Sequence, residues 1–237
     1  MHSLWYYELY ETVFSRPSSV YAKEIDIISN YAKVDGSDIL EIGVGTGNHA
    51  SALLKLQPKL LDAIDMDSKA ISISFSKLGS IPNVSFFVGD GFSFSYPRSY
   101  DLVYIMYSVI SQGVFCFKEF GNRIAILLRL LKNADASIIF EILDKTQCMK
   151  RYPTGIITEL YRDSNQTVSV QWDYPPNWIV VKYLHTDSEK EFSRYTVKIL
   201  DINIDELGEF LSLMQIGIRV VPLDTSGRRK LVVIRHL

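Results

Sequence analysis

The chain has almost no cysteine, no concentrated charge of either sign, and no uncharged apolar run of membrane-spanning length. Two cysteines in 237 residues, Cys116 and Cys148, form neither a CxxC metal motif nor a disulfide framework, so a reducing cytoplasmic setting is expected. Cys116 sits in the apolar run Val114-Phe115-Cys116-Phe117 and is expected to be packed. The 25 basic and 27 acidic residues leave a net charge of −2 and no basic stripe. A nucleic-acid partner is therefore not expected, because neutralising phosphates takes clustered Lys and Arg. The one dense basic cluster, Arg228-Arg229-Lys230, reads most simply as a solvated hairpin turn. The N-terminus opens on aromatics and acids, without a basic segment leading into an apolar core, so no secretory leader is expected. Nothing approaches the roughly 20 apolar residues a helix needs to cross a bilayer, and no membrane partner is expected.

What is present is apolar residue, 47% of the chain, enough for the core of one large domain over 1–237. Residues 20–33 carry Tyr21, Ile25, Ile28 and Ala32 at helical spacing, and a regular alternation follows. Strands are predicted at 38–42, 60–65, 84–88, 102–107 and 136–143, with helices at 48–56, 68–78 and 120–131. Short apolar strands alternating with helices predict a doubly wound, mostly parallel sheet, α/β in class. The rhythm breaks after Asp144. Within 151–200 three β-rich runs, 167–172, 178–184 and 191–199, are separated by Pro175-Pro176-Asn177 and Asp187-Ser188-Glu189, which predicts an inserted antiparallel element. A last helix should start at Asn203 with Glu206 in capping-box spacing and stop at Gly217, before two closing strands at 218–223 and 231–235.

The strand at 38–42 runs into Glu41-Ile42-Gly43-Val44-Gly45-Thr46-Gly47 and then a helix. Glycines in such a turn let the backbone approach a ligand closely. Two ligand classes use it, dinucleotides and S-adenosylmethionine (SAM). Counted from Gly43, the dinucleotide pattern needs a third glycine at position 48, where Asn48 stands. Glu41 beside the turn would repel a pyrophosphate but suits the cationic amine and sulfonium of SAM. SAM is the better fit. Asp65 ends the next strand about twenty residues on, the distance at which an acid accepts hydrogen bonds from a ribose diol. Met66 is a soft side chain suited to an adenine face, and Asp67 is expected to cap the following helix. The third strand ends in Gly89-Asp90-Gly91-Phe92, where Asp90 can take the adenine amine while Gly91 and Phe92 border the ring.

With these motifs in place, residues 38–143 resemble the SAM-binding core of class I SAM-dependent methyltransferases. The resemblance implies a Rossmann-like methyltransferase fold with a seven-stranded sheet. It sets the methionine moiety on Gly43, Gly45 and Gly47, the ribose on Asp65 and the adenine on Asp90. A looser similarity, to small-molecule N-methyltransferases acting on nucleotide-linked amino sugars, extends over almost the whole chain. It involves Tyr10-Glu11, Tyr21, Gly45-Thr46-Gly47-Asn48-His49, Met106-Tyr107-Ser108, the inserted strands and Ser226-Gly227-Arg228. Asn48, Val44 and Asp65 depart from that group, where Thr, Cys and Glu are more usual. The resemblance implies that Tyr10 and Tyr21 close over the donor and that Met106 and Tyr107 floor the acceptor pocket.

Methyl transfer from a sulfonium is an in-line displacement of an already activated group, so positioning and water exclusion can supply most of the acceleration. An amine acceptor needs only a neutral lone pair; a hydroxyl needs a base. Candidate acceptor-side groups are Tyr10, Tyr107, His49 and His185, with His49 read as satisfied or cofactor-touching and His185 most simply as structural. Trp172, Tyr174 and Trp178 suit either a substrate lid or the face of a homodimer built through the inserted strands. Arg228 and Arg229 would serve a diphosphate on the acceptor. No metal is called for, since Ile142-Leu143-Asp144 offers one acid where a metal-dependent relative would cluster several. A small-molecule acceptor is expected, with nitrogen and oxygen both open. The rivals are a protein or RNA methyltransferase, a non-catalytic SAM-binding subunit and an NAD-dependent oxidoreductase.

Overall fold

Residues 10–162, 166–187 and 192–236 are described in a computed structural model of the chain. A short helical turn, Tyr10–Phe14, precedes α1 (Ser18–Ser29). The alternating part follows as β1 (Asp38–Ile42), α2 (Asn48–Leu53), β2 (Leu60–Asp65), α3 (Ser68–Leu78), β3 (Val84–Val88), β4 (Leu102–Ile105), α4 (Phe117–Leu128) and β5 (Ser137–Leu143). Then come α5 (Lys145–Arg151) and four consecutive strands, β6 (Ile157–Arg162), β7 (Gln166–Asp173), β8 (Trp178–Asp187) and β9 (Phe192–Leu200). The described chain closes with α6 (Ile204–Ser212), β10 (Ile216–Pro222) and β11 (Arg229–His236).

One sheet has seven strands in the order β10-β11-β5-β4-β1-β2-β3. It is parallel except where β11 runs antiparallel to β5 and β10. Every residue of β1 is buried, and its successive side chains serve opposite faces. Ile39 belongs to the apolar cluster under α1 and α2, Leu40 to the one under α4 and α6. That two-sided burial is why the central strands read as continuous apolar runs. The winding changes direction between β1 and β4, which opens a crevice at their carboxyl ends, the usual ligand position in such sheets. The second sheet, β6-β7-β8-β9, is wholly antiparallel. Gly113 N donates to Lys198 O at 3.3 Å and holds that sheet against the loop after β4.

Several boundaries depart from the expectations. The insertion has four strands, not three; β6 is exposed along nearly its whole length, so it shows no alternation of apolar and polar residues. Helix α5 was not predicted, although Asp144 caps it by accepting from Gln147 N at 3.0 Å. Helix α4 lies three residues earlier than expected, because Leu130 and Leu131 continue the apolar spacing from a turn. There Leu130 O accepts from Tyr100 N at 2.7 Å. Gly217 lies inside β10 and stops no helix; Gln215, at φ +57°, makes that reversal. Strand β4 ends at Ile105, two residues short of expectation. Cys116, expected to be packed, is exposed at the start of α4. Asp67 and Asn203 cap α3 and α6 as anticipated. Among the described residues no helix is long and apolar enough to cross a membrane, and none of their His, Cys, Asp and Glu side chains cluster to hold a metal ion.

Candidate active site

The carboxyl end of β1 bends through Gly43, at φ +79°, where a Cβ would come within 2.8 Å of the Val109 side chain. Gly45 follows at φ +55°, with nothing within 4 Å of a Cβ position. The turn is pinned from two sides. Gly45 N donates to Asp65 Oδ2 at 2.9 Å, and Ser74 Oγ donates to Gly45 O at 2.6 Å. The other Asp65 oxygen accepts from Asp67 N at 3.0 Å.

After β4 the chain makes a second unusual bend. Tyr107 and Ser108 both adopt left-handed backbone, at φ +55° and +56°, which costs on the order of 1–3 kcal/mol per residue and persists only where surroundings enforce it. Glu141 accepts from Tyr107 N at 3.0 Å, and Gln112 Nε2 donates to Tyr107 O at 2.9 Å. The two bends and strand β5 form the floor of a cavity of about 370 Å³. Trp172, Val181, Tyr183, Tyr195, Val197 and Ile199 of the antiparallel sheet form its roof, and Phe14 and Arg16 close one side.

Behind the floor lies a buried charge network. Arg229 Nε and Nη2 donate to the two Glu141 oxygens at 2.9 and 2.6 Å, and Arg229 Nη1 donates to Glu24. Arg16 donates to both Glu24 oxygens at 2.7 and 3.1 Å and to the Tyr107 hydroxyl at 2.5 Å. His49 Nε2 meets Glu24 Oε2 at 2.7 Å. Burial pushes the Glu24 carboxyl up, but His49, Arg229 and Arg16 outweigh it and bring its pKa down to about 2. Burial lowers the His49 pKa in spite of Glu24.

Residues 39–132 match a family model described as a methyltransferase domain. Solved structures sharing the architecture include the CcbJ methyltransferase of Streptomyces caelestis, with a TM-score of 0.78 at 14% identity, covering 98% of this chain and 96% of that one. CalS10, an amino pentose methyltransferase of Micromonospora echinaspora seen with SAM bound, gives 0.71 at 16% identity, covering 100% and 98%. KedS8, a sugar N-methyltransferase from a Streptoalloteichus species, gives 0.76 at 14%, covering 97% and 92%. At such identities the likeness speaks for the fold. No curated protein sequence gives a match. Residues 39–132 are thus a methyltransferase domain.

The glycine turn of this domain fits SAM: at Gly45 the missing side chain leaves open space in the cavity wall. Of the residues expected from sequence, Gly43, Gly45, Asp65, Tyr107, Trp172, Arg228 and Arg229 line the cavity. Tyr21, Glu41, His49 and Met106 are buried outside its lining, and Gly47 starts α2. Asp90 braces its own turn by accepting from Phe92 N at 3.0 Å, Gly91 packs on Ile42, and Met66 is exposed to 74%. These three and Phe92 lie outside the cavity lining, Met66 just after β2 and the others just after β3. Trp178 packs on Phe115, and His185 meets Gln166 at 3.1 Å; neither lines the cavity. Tyr10 begins the first helical turn, and its side chain lies outside the described residues. Arg229 is corrected: it is 7% exposed and committed to two carboxylates, so it is not the solvated turn residue or ready phosphate ligand expected.

Sequence reasoning missed Arg16, Glu24 and Glu141. Glu141 had a signal, a lone acid within the apolar run Ser137–Leu143, since such a charge is retained in a core only when paired. Arg123 was missed too. Its Nη1 donates to the carbonyls of Val109, Ile110 and Gln112 at 3.3, 2.7 and 2.9 Å, while its guanidinium lies 4.2 Å over the Phe92 ring. It thus ties the loop under the cavity to the β3 end. Arg123→Met is expected to weaken SAM binding by roughly three- to tenfold, in line with charge-assisted hydrogen bonds at about 1.5–3 kcal/mol acting here at second hand. Arg123→Lys should recover only part, lacking the planar fork. Calorimetric titration checks both, and an unchanged affinity would confine Arg123 to the fold.

Glu41 lies fully buried beside Tyr104, and its Oε2 has no hydrogen-bond partner among the described residues. Burial, reinforced by the Asp65 charge and opposed by the Tyr104 hydroxyl, raises its pKa to about 8. The folded state therefore holds a proton that the unfolded state has lost. The stability from this proton is fully present below the ordinary glutamate value of about 4.5 and disappears as pH rises through about 8. Glu41→Gln should accordingly raise the melting temperature of the unliganded protein increasingly over that range. Equal melting of the two proteins at every pH would show that the carboxyl is already ionised and partnered.

Proposed function

We propose that this methyltransferase transfers the methyl group to an amino nitrogen of a small molecule, with an amino sugar as the preferred class. The observation that carries it is that the glycine turn, Tyr107 and the roof of the second sheet line one cavity of about 370 Å³. That volume lies within the range of about 300–1,000 Å³ typical of small-molecule sites. Of the described lining carboxylates, Glu141 is tied to Arg229 and Asp65 accepts from Gly45 N and Asp67 N; an amine, unlike a hydroxyl, needs no base once its lone pair is free. The amino pentose and sugar N-methyltransferase activities named for CalS10 and KedS8 support the same choice.

The bound sulfonium supplies the activated methyl group. Gly43, Gly45 and Thr46 would form the donor cradle, Asp65 would take the ribose hydroxyls, and Met66 after β2 with Asp90, Gly91 and Phe92 after β3 would border the adenine. Arg16, which lines the cavity while bonded to Glu24 and Tyr107, would set a positive charge beside the donor's carboxylate. Tyr107 would lie in the floor beneath the acceptor, with Phe14 and the roof residues lining the other sides. Titration with SAM and S-adenosylhomocysteine (SAH), followed by detection of SAH formed on a panel of amino sugars, tests the reading. Absence of SAM binding, or turnover on a purified protein or RNA alone, would sink it.

A homodimer through the inserted sheet belongs to the same proposal. Edge strand β6 exposes Ile157 to 59% and Leu160 to 41%, and an uncovered apolar edge invites strand pairing. Light scattering should give a dimer mass that Ile157→Lys with Leu160→Lys halves; a monomer in the unaltered protein would discard the idea.

A further inference from the structure

We propose that the acceptor's amino group enters this cavity on an uncharged apolar or aromatic carrier, and not on a nucleoside diphosphate. The inference rests on the methyltransferase reading and narrows its substrate class. Among the described lining residues the cations are Arg16, Arg228 and Arg229, and none is held apart from a carboxylate. Arg229 is bound to Glu24 and Glu141, Arg16 to Glu24. Arg228 donates to the Tyr152 hydroxyl at 2.8 Å and lies 3.5 Å from Asp224. With Asp65 also in the wall, four carboxylates answer three guanidiniums. A diphosphate brings further negative charge, and phosphate recognition depends on guanidinium forks turned toward the ligand. Here each fork is already turned toward a protein oxygen.

The opposite wall has a different character. Val181, Val197 and Ile199 from the roof face the cavity together with Val109 and Leu143 from the floor. Trp172 is fixed in a stack, 4.7 Å from Tyr152 at an interplanar angle of 5° and 6.4 Å from Tyr174 at 22°. Phe14 meets the Tyr183 ring edge-on at 5.1 Å, joining the closing segment to that same roof. Rigid aromatic and branched aliphatic walls recognise apolar area and flat rings at little cost in side-chain freedom.

The test titrates the full chain, saturated with SAH, with three probes: dTDP, free glucosamine and an aryl glycoside of glucosamine. The aryl glycoside is expected to bind at least tenfold tighter than glucosamine, and dTDP to show no binding at millimolar concentration. Trp172→Ala should remove most of the aryl advantage, with SAH binding as the check that the variant is folded; Val197→Thr, a smaller change in the same wall, should reduce it if Trp172→Ala does not fold. The inference is overturned if dTDP binds more tightly than the aryl glycoside, if the aryl group confers no gain, or if none of the probes binds. Failure to bind SAH would overturn the donor reading itself, and this inference with it, before any probe is added.

Discussion

Arg229→Met is expected to lower the melting temperature by roughly 10 °C, a loss of about 3–5 kcal/mol at ~2–4 °C per kcal/mol for a chain of this size. Two buried carboxylates depend on this guanidinium, but unequally. Glu24 keeps Arg16 and His49, whereas the bond that Glu141 retains is the one from Tyr107 N. The damage should therefore centre on Glu141, and Glu141→Gln in the Arg229→Met background should restore part of the stability by removing the orphaned charge. Glu24 in the unaltered protein adds a pH dependence: its lowered pKa contributes stability above about 4.5 that is lost as pH falls toward about 2. Melting curves over that range check it. An Arg229→Met protein that melts with the unaltered one at neutral pH would show that the network contributes nothing net.

Why the sequence concealed this network is a matter of distance along the chain. Arg229 and Glu24 are 205 residues apart, and nothing local marks a charge whose partner lies at the other end. The cluster Arg228-Arg229-Lys230 looked like a solvated turn because its composition is that of one, yet Arg229 already belongs to β11, where it is buried and pairs with Leu143. The central strands were readable because burial on both faces leaves only apolar residues. The glycine turn was readable because left-handed backbone beside a ligand restricts the residue type. Edge strand β6 escaped for the opposite reason: with both faces exposed, no pattern is imposed on it. Tyr107 and Ser108 escaped in conformation though not in position, since neither residue type announces a positive φ. The donor turn was thus accessible one residue at a time, while the acceptor wall emerged only once two sheets closed on each other.

Asp65→Ala is expected to weaken SAM binding by roughly ten- to a hundredfold, and SAH binding by the same factor. The carboxylate already braces the turn through Gly45 N and, in the proposed complex, also accepts from the ribose. Hydrogen bonds to a charged group contribute about 1.5–3 kcal/mol, and each factor of ten corresponds to about 1.4 kcal/mol. Equal losses for the two ligands are the discriminating outcome, because ribose is common to both and the sulfonium charge is not. A loss confined to SAM would instead mean that Asp65 acts by attraction to the cation. Asp65→Asn should lie between, since its carbonyl can still accept from Gly45 N while its amide group can no longer accept from Asp67 N. Acidity gives a second check. Burial raises the Asp65 pKa, with the backbone donors of Asp67 and Gly45 opposing and the Asp67 charge reinforcing the rise. Binding should therefore begin to fail, as pH drops, above the ordinary aspartate value of about 3.9. In Asp65→Asn that acid limb should vanish. If it persists, the group that titrates is another one, and Asp65 serves the turn without touching the donor.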